Sequence, residues 1–158
     1  MESTVPDTPW QRPRPLERLC IASFIDQGCS ALVYFFGLFG ARLVQGMSAG
    51  EVEALVTRYY AGLVPASEMG SILRYGELMR VHGVALVAVL LARTVARFIG
   101  TLRLWQGRFD GLHIYITAQL LGMLLPMLVA GRELFSFLGF LLVLNWCFLY
   151  WTQRAALR

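Results

Sequence analysis

Four long apolar runs dominate the chain, at about residues 16–41, 78–99, 112–130 and 134–152, and each is broken by one strongly polar side chain: Asp26, Arg93, Gln119 and Asn145. Runs of roughly 20 apolar residues match the hydrocarbon thickness of a bilayer, so the pattern predicts an all-α membrane protein with four transmembrane helices. The segment between the first two runs has a different rhythm. Ser48 is followed three residues later by Glu51, the arrangement that caps a helix start, and Val52, Leu55, Val56, Tyr59, Tyr60 and Leu63 recur at spacings of three and four. An amphipathic helix is expected at about 49–61, ended by Gly62 and Pro65, with Ser67 and Glu68 starting the helix that enters the second span.

Residues 1–15 contain Pro6, Pro9, Pro13 and Pro15 and predict an extended arm, in which Trp10 is a candidate for docking on headgroups or a partner. Residues 16–158 then form one four-helix transmembrane domain. The stretch 100–111 reads as a turn between glycines, and Gly131-Arg132-Glu133 is short enough to force a tight hairpin between spans three and four. The first run exceeds the length of a signal peptide's apolar region, carries Asp26 and lacks a small-residue cleavage site, so its retention is expected.

Charge sets the orientation. All of the basic residues are arginines, and nine of them (Arg12, Arg14, Arg18, Arg93, Arg97, Arg103, Arg108, Arg154, Arg158) fall on one side of the four spans against five on the other, where Glu51, Glu53, Glu68, Glu77 and Glu133 also lie. Arginines flanking spans resist translocation, which places both termini in the cytoplasm and the amphipathic helix outside. Trp105, Tyr150 and Trp151 fit the headgroup level on the inner side. The expected location is the cytoplasmic (inner) membrane of a bacterium, with multiple passes. A composition that is 57% hydrophobic and 15% charged leaves little of the chain for a second, soluble domain.

Counting about 1.5 Å of rise per residue puts Asp26 on the order of 12–15 Å deep and Arg93, Gln119 and Asn145 about 10 Å deep, all measured from the inner side. The four interruptions thus form one polar layer in the inner half. An ionised group there costs about 2.5–3.5 kcal/mol on insertion scales, so Asp26 is expected to pair with Arg93, with Gln119 and Asn145 bonding nearby. Small residues repeat every fourth position along span two (Ala88, Ala92, Ala96, Gly100) and span three (Ala118, Gly122, Pro126, Ala130), a rhythm that predicts helix-packing seams. Pro126 is expected to bend its helix.

No nucleotide-binding, metalloprotease or serine-nucleophile motif occurs, and the carboxylates do not form a facing pair. This predicts no catalytic residues, no metal and no cofactor, hence no enzyme. His82 and His113 lie near opposite faces of the membrane and cannot share a haem; a lone pigment at His82 is the weaker reading. Cys20, Cys29 and Cys147 read as small core residues, and the basic residues follow the membrane rule rather than forming a nucleic-acid patch. The expected partners are the lipid bilayer together with other membrane subunits or further copies of the chain. The function expected is an accessory or scaffold subunit of a larger membrane complex, and the alternative is a small oligomeric transporter or channel using Asp26 and Arg93.

The segment Arg18-Leu-Cys-Ile-Ala-Ser-Phe-Ile-Asp26 resembles the opening of the RDD family of small bacterial membrane proteins, and Thr94 to Arg103 resembles that family's later arginine-rich stretch. The resemblance covers about a quarter of the chain, departs in spacing, and lacks the family's terminal aspartate motif. It implies a multi-pass membrane protein for which transport has been suggested, with Arg18 and Asp26 as the polar pair.

Overall fold

In a computed structural model, which describes residues 12–131 and 135–157, the chain is all-helical, with five α-helices and a closing turn of 3₁₀ helix. These are α1 (Arg14–Gln45), α2 (Ala49–Tyr60), α3 (Ala66–Trp105), α4 (Asp110–Ala130) and α5 (Phe137–Thr152). Helices α1, α3 and α4 are each long and apolar enough to cross a membrane. At 16 residues, α5 is apolar but only about 24 Å long. Residues 1–11 of the arm, with Trp10, and residues 132–134 of the expected hairpin turn lie outside the described residues.

The helix boundaries follow from local chemistry. Pro13 precedes α1 and Pro15 sits in its first turn, where a missing N–H costs nothing. At α2, the Ser48 hydroxyl accepts from the Glu51 N–H while the Glu51 carboxylate accepts from the Ser48 N–H at 2.7 Å, a complete capping box. These bonds hold the Glu51 carboxyl below its usual range, the Ser48 N–H contributing most. Two valines of the α2 stripe, Val52 and Val56, are buried, and they press on α3 at Gly76, where a Cβ would meet them at 3.2 and 3.1 Å. Leu55, Tyr59, Tyr60 and Leu63 stay exposed.

The turn expected at 100–111 is narrower than its glycines suggest. Helix α3 continues through Gly100 to Trp105, and the chain reverses over 106–109 only. Gly107 at φ 78° makes this possible: its N–H bonds the Leu104 carbonyl and the Arg108 N–H bonds the Arg103 carbonyl, so the last carbonyls of α3 are satisfied. Arg103 and Arg108 both reach Asp110 across the turn, the latter at 3.2 Å.

The first and last described segments meet at one end of the bundle, where Leu16, Cys20, Leu104, Leu112, Tyr115 and Tyr150 form the buried core and Leu157 packs on it. We call this the base. Arg12 closes it by donating to the Trp105 carbonyl at 3.0 Å and stacking over the Trp105 ring at 3.5 Å. Beyond residue 27, α1 has a single buried residue, Ala41, which faces Gly83 of α3. Leu32, Val33, Phe35, Phe36, Phe39 and Leu43 are exposed, as are Phe137, Leu138, Leu141 and Leu142 of α5. This far half is a thin assembly of apolar helices with its outward surface uncovered.

Candidate functional site

The polar side chains at the base end of the long helices bond one another across several helix pairs. The α1 contribution lies along the stripe Leu16, Cys20, Ser23 and Gln27, all buried and spaced by three or four residues. The α3 contribution follows the same rhythm through Thr94, Arg97, Thr101 and Leu104. Where these stripes face each other, Arg97 donates to Asp26 at 2.7 Å and the Gln27 amide donates to the Thr101 hydroxyl at 2.9 Å. Arg97 is the buried partner, its side chain only 8% exposed against 47% for Asp26.

Helix α4 adds Tyr115 and Gln119, one turn apart. Arg93 donates to Gln119, and the Gln119 amide donates to the Tyr115 hydroxyl at 3.2 Å. The guanidinium of Arg97 lies 5.7 Å from the Tyr115 ring, a cation facing a π surface. Helix α5 joins through Tyr150, whose hydroxyl donates to the Leu19 carbonyl at 3.1 Å and sits 2.8 Å from the Ser23 hydroxyl. The Tyr115 and Tyr150 rings pack at 4.5 Å. All four long helices are therefore tied by polar or aromatic contacts within a few turns of the base.

Such a network needs close backbones, and glycines provide them. A Cβ on Gly100 would meet the Tyr115 backbone nitrogen at 2.8 Å, and one on Gly111 would meet the Gly100 carbonyl oxygen and the Leu104 nitrogen at 2.7 Å. Both contacts are with backbone, which cannot swing aside. The stem of Arg93 crosses Gly122 in the space that a Cβ would need.

Set against the expected layer, the pairing shifts by one helical turn: Asp26 binds Arg97, not Arg93. Arg93 and Arg97 share a face of α3, and depth alone does not distinguish them. Gln119 is buried and bonded to Arg93. Asn145 is exposed and outside the network. The buried face of α5 is Val143, Cys147 and Tyr150, and a residue two positions from Val143 points to the opposite side. Arg18 is likewise exposed, so the Arg18 and Asp26 pair that the family resemblance implies is replaced by Asp26 and Arg97.

The two ladders of small residues fare differently. Gly100, Ala118 and Gly122 are buried in the α3/α4 seam, Ala96, Pro126 and Ala130 are half-buried, and Ala88 and Ala92 are exposed. A strict spacing of four drifts around a helix of 3.6 residues per turn by about 40° each step, so Ala88 has turned roughly 120° away from Gly100. The buried face of α3 instead runs through Gly83, Leu86, Val87, Thr94, Arg97, Thr101 and Leu104.

Ser23, Gln27, Arg97, Thr101, Tyr115 and Tyr150 were not among the expected layer residues. Their signal is present as mixed three-and-four spacings of polar residues in register with apolar ones, which marks a helix face more sharply than isolated polarity does. His113 is exposed and meets Phe109 edge to face at 5.0 Å, and His82 lies far from it along the bundle. Among the described residues no cluster of His, Cys, Asp and Glu has a metal-binding arrangement. No protein family, curated protein or solved structure matches the chain.

Proposed function

We propose that this chain is a four-span protein of the bacterial inner membrane, with α5 as the fourth span, both ends in the cytoplasm and α2 outside, acting as an accessory or scaffold subunit of a larger membrane complex. The observation that supports the reading is the uneven distribution of interhelical bonds. Polar contacts crowd the base, where they set the register of α1, α3, α4 and α5. The far half has an uncovered apolar surface on α1 and α5. Polar side chains that bond one another across helices act as glue, worth about 1 kcal/mol each in a membrane. A conduction path instead needs polar groups through the full depth, and the exposed far half of α1 is mostly Leu, Val and Phe.

Isolation in mild detergent followed by native mass spectrometry tests the proposal. A stable heteromeric partner supports the scaffold reading. A homo-oligomer that carries ion flux after reconstitution replaces it with the transporter alternative, for which the half-exposed Asp26 beside Arg97 is the favouring observation. Cysteine-accessibility labelling of positions 12 and 157 from each side of the membrane checks the orientation.

A further inference from the structure

Arg93 bonds Gln119, and it also lines one end of a cavity of about 340 Å³ between α3, α4 and the start of α5. The cavity runs from Arg93 and Gly122 to Tyr75 and Ser136, a length of about 27 Å along α3. Its walls include Leu90 and Val143, and among the described residues Arg93 is the only charged side chain lining it. Among the described residues no carboxylate lines the cavity, and Asp26 bonds Arg97. The Arg93 Nε is buried without a partner, and Gln119 is the sole acceptor of its guanidinium among the described residues.

We propose that this cavity binds a long-chain fatty carboxylate, head on Arg93 and alkyl chain running toward Ser136. Charge complementarity identifies the head: a guanidinium fork in apolar surroundings matches a planar carboxylate, which accepts two parallel N–H bonds and neutralises the charge. Volume identifies the tail. A helix 27 Å long and 10–12 Å across fills on the order of 2,500 Å³, several times the space here, whereas one alkyl chain is slender enough to follow the groove. The apolar walls favour the chain by burial, and the arginine at one end orients it. The site is independent of the scaffold reading, because it requires only this chain.

The test uses the full chain, stripped of lipid in detergent, with palmitate and its neutral counterpart hexadecanol as probes. Saturable binding of one palmitate, with hexadecanol weaker by about tenfold or more, is expected from the loss of a charge-assisted pair. Arg93→Gln brings palmitate down to the hexadecanol level, and Val143→Trp, which fills the tail channel, weakens both. Equal affinity for the two probes overturns the proposal, as does absence of saturable palmitate binding. A diacyl phosphatidylglycerol that displaces palmitate at lower concentration overturns it in favour of a two-chain lipid. The comparison of probes on the unaltered chain decides the matter even where a variant fails to fold.

Discussion

The base and the far half of this bundle are both built on apolar helices, yet they differ in how much holds them. At the base, α3 and α4 approach until glycine backbones touch, and side chains from four helices bond one another. In the far half, α1 rests on α3 through Gly37 and Ala41, and the first turns of α5 stand exposed. The difference teaches that hydropathy alone does not assemble helices in a bilayer. Lipid solvates leucine as well as another helix does, so close approach and polar bonds decide which contacts form.

The largest expected effect separates the halves by a single methyl group. Gly111→Ala forces a Cβ against the Gly100 carbonyl and the Leu104 nitrogen, and it is expected to destabilise by about 3 kcal/mol. Gly40 has open space around it inside α1, and Gly40→Ala is expected to be neutral or to stabilise by up to about 1 kcal/mol. Unfolding in detergent followed by circular dichroism, or steric trapping in bicelles, measures both. Equal losses at the two positions contradict the contrast.

A smaller effect tests the pairing. A double-mutant cycle on Asp26→Asn and Arg97→Gln is expected to show a coupling of about 1 kcal/mol, a modest value because Asp26 is half-exposed. The same cycle with Arg93→Gln in place of Arg97→Gln is expected to show almost none. Tyr150→Phe, which removes the hydroxyl that meets Leu19 and Ser23, should cost about 0.6–1.7 kcal/mol. Asn145→Leu should be neutral or stabilising, since its side chain is exposed on the outer face of α5.

The slightest effect lies in the capping box of α2. Because Ser48 holds the Glu51 carboxyl below the ordinary value of 4.5, the ionised form stabilises the helix start at all pH values above that. The contribution fades as pH falls through the lowered folded-state value. An NMR titration of Glu51 should therefore show a midpoint below 4.5 that rises only part of the way toward 4.5 in Ser48→Ala, which removes the hydroxyl and keeps the N–H.

Much of this architecture was readable from residue order alone. The capping box and the start of α2 follow from local chemistry, which needs no neighbour, whereas α3 starts at Ala66 behind Pro65 with no side-chain cap from Ser67. The three helices long and apolar enough to cross a membrane follow from run length. What escaped depends on rotation and register between helices. Arg93 and Arg97 occupy the same face one turn apart, so only the packing of α1 on α3 selects which meets Asp26. Asn145 is polar but turned outward, and polarity carries no azimuth. The ladder through Ala88 and Ala92 drifts off the seam because its period is not that of the helix. Gly107 was legible as a glycine, but its positive φ and the short turn it builds belong to the fold.

The central claim, that one half is pinned and the other is held loosely, is open to one direct measurement. Nitroxide pairs at the exposed positions Arg18 and Thr152 near the base, and at Leu43 and Leu138 in the far half, report α1 to α5 separations by pulsed electron resonance in nanodiscs. A narrow distance distribution at the base and a broad one in the far half is the expected result. Two equally narrow distributions would contradict it.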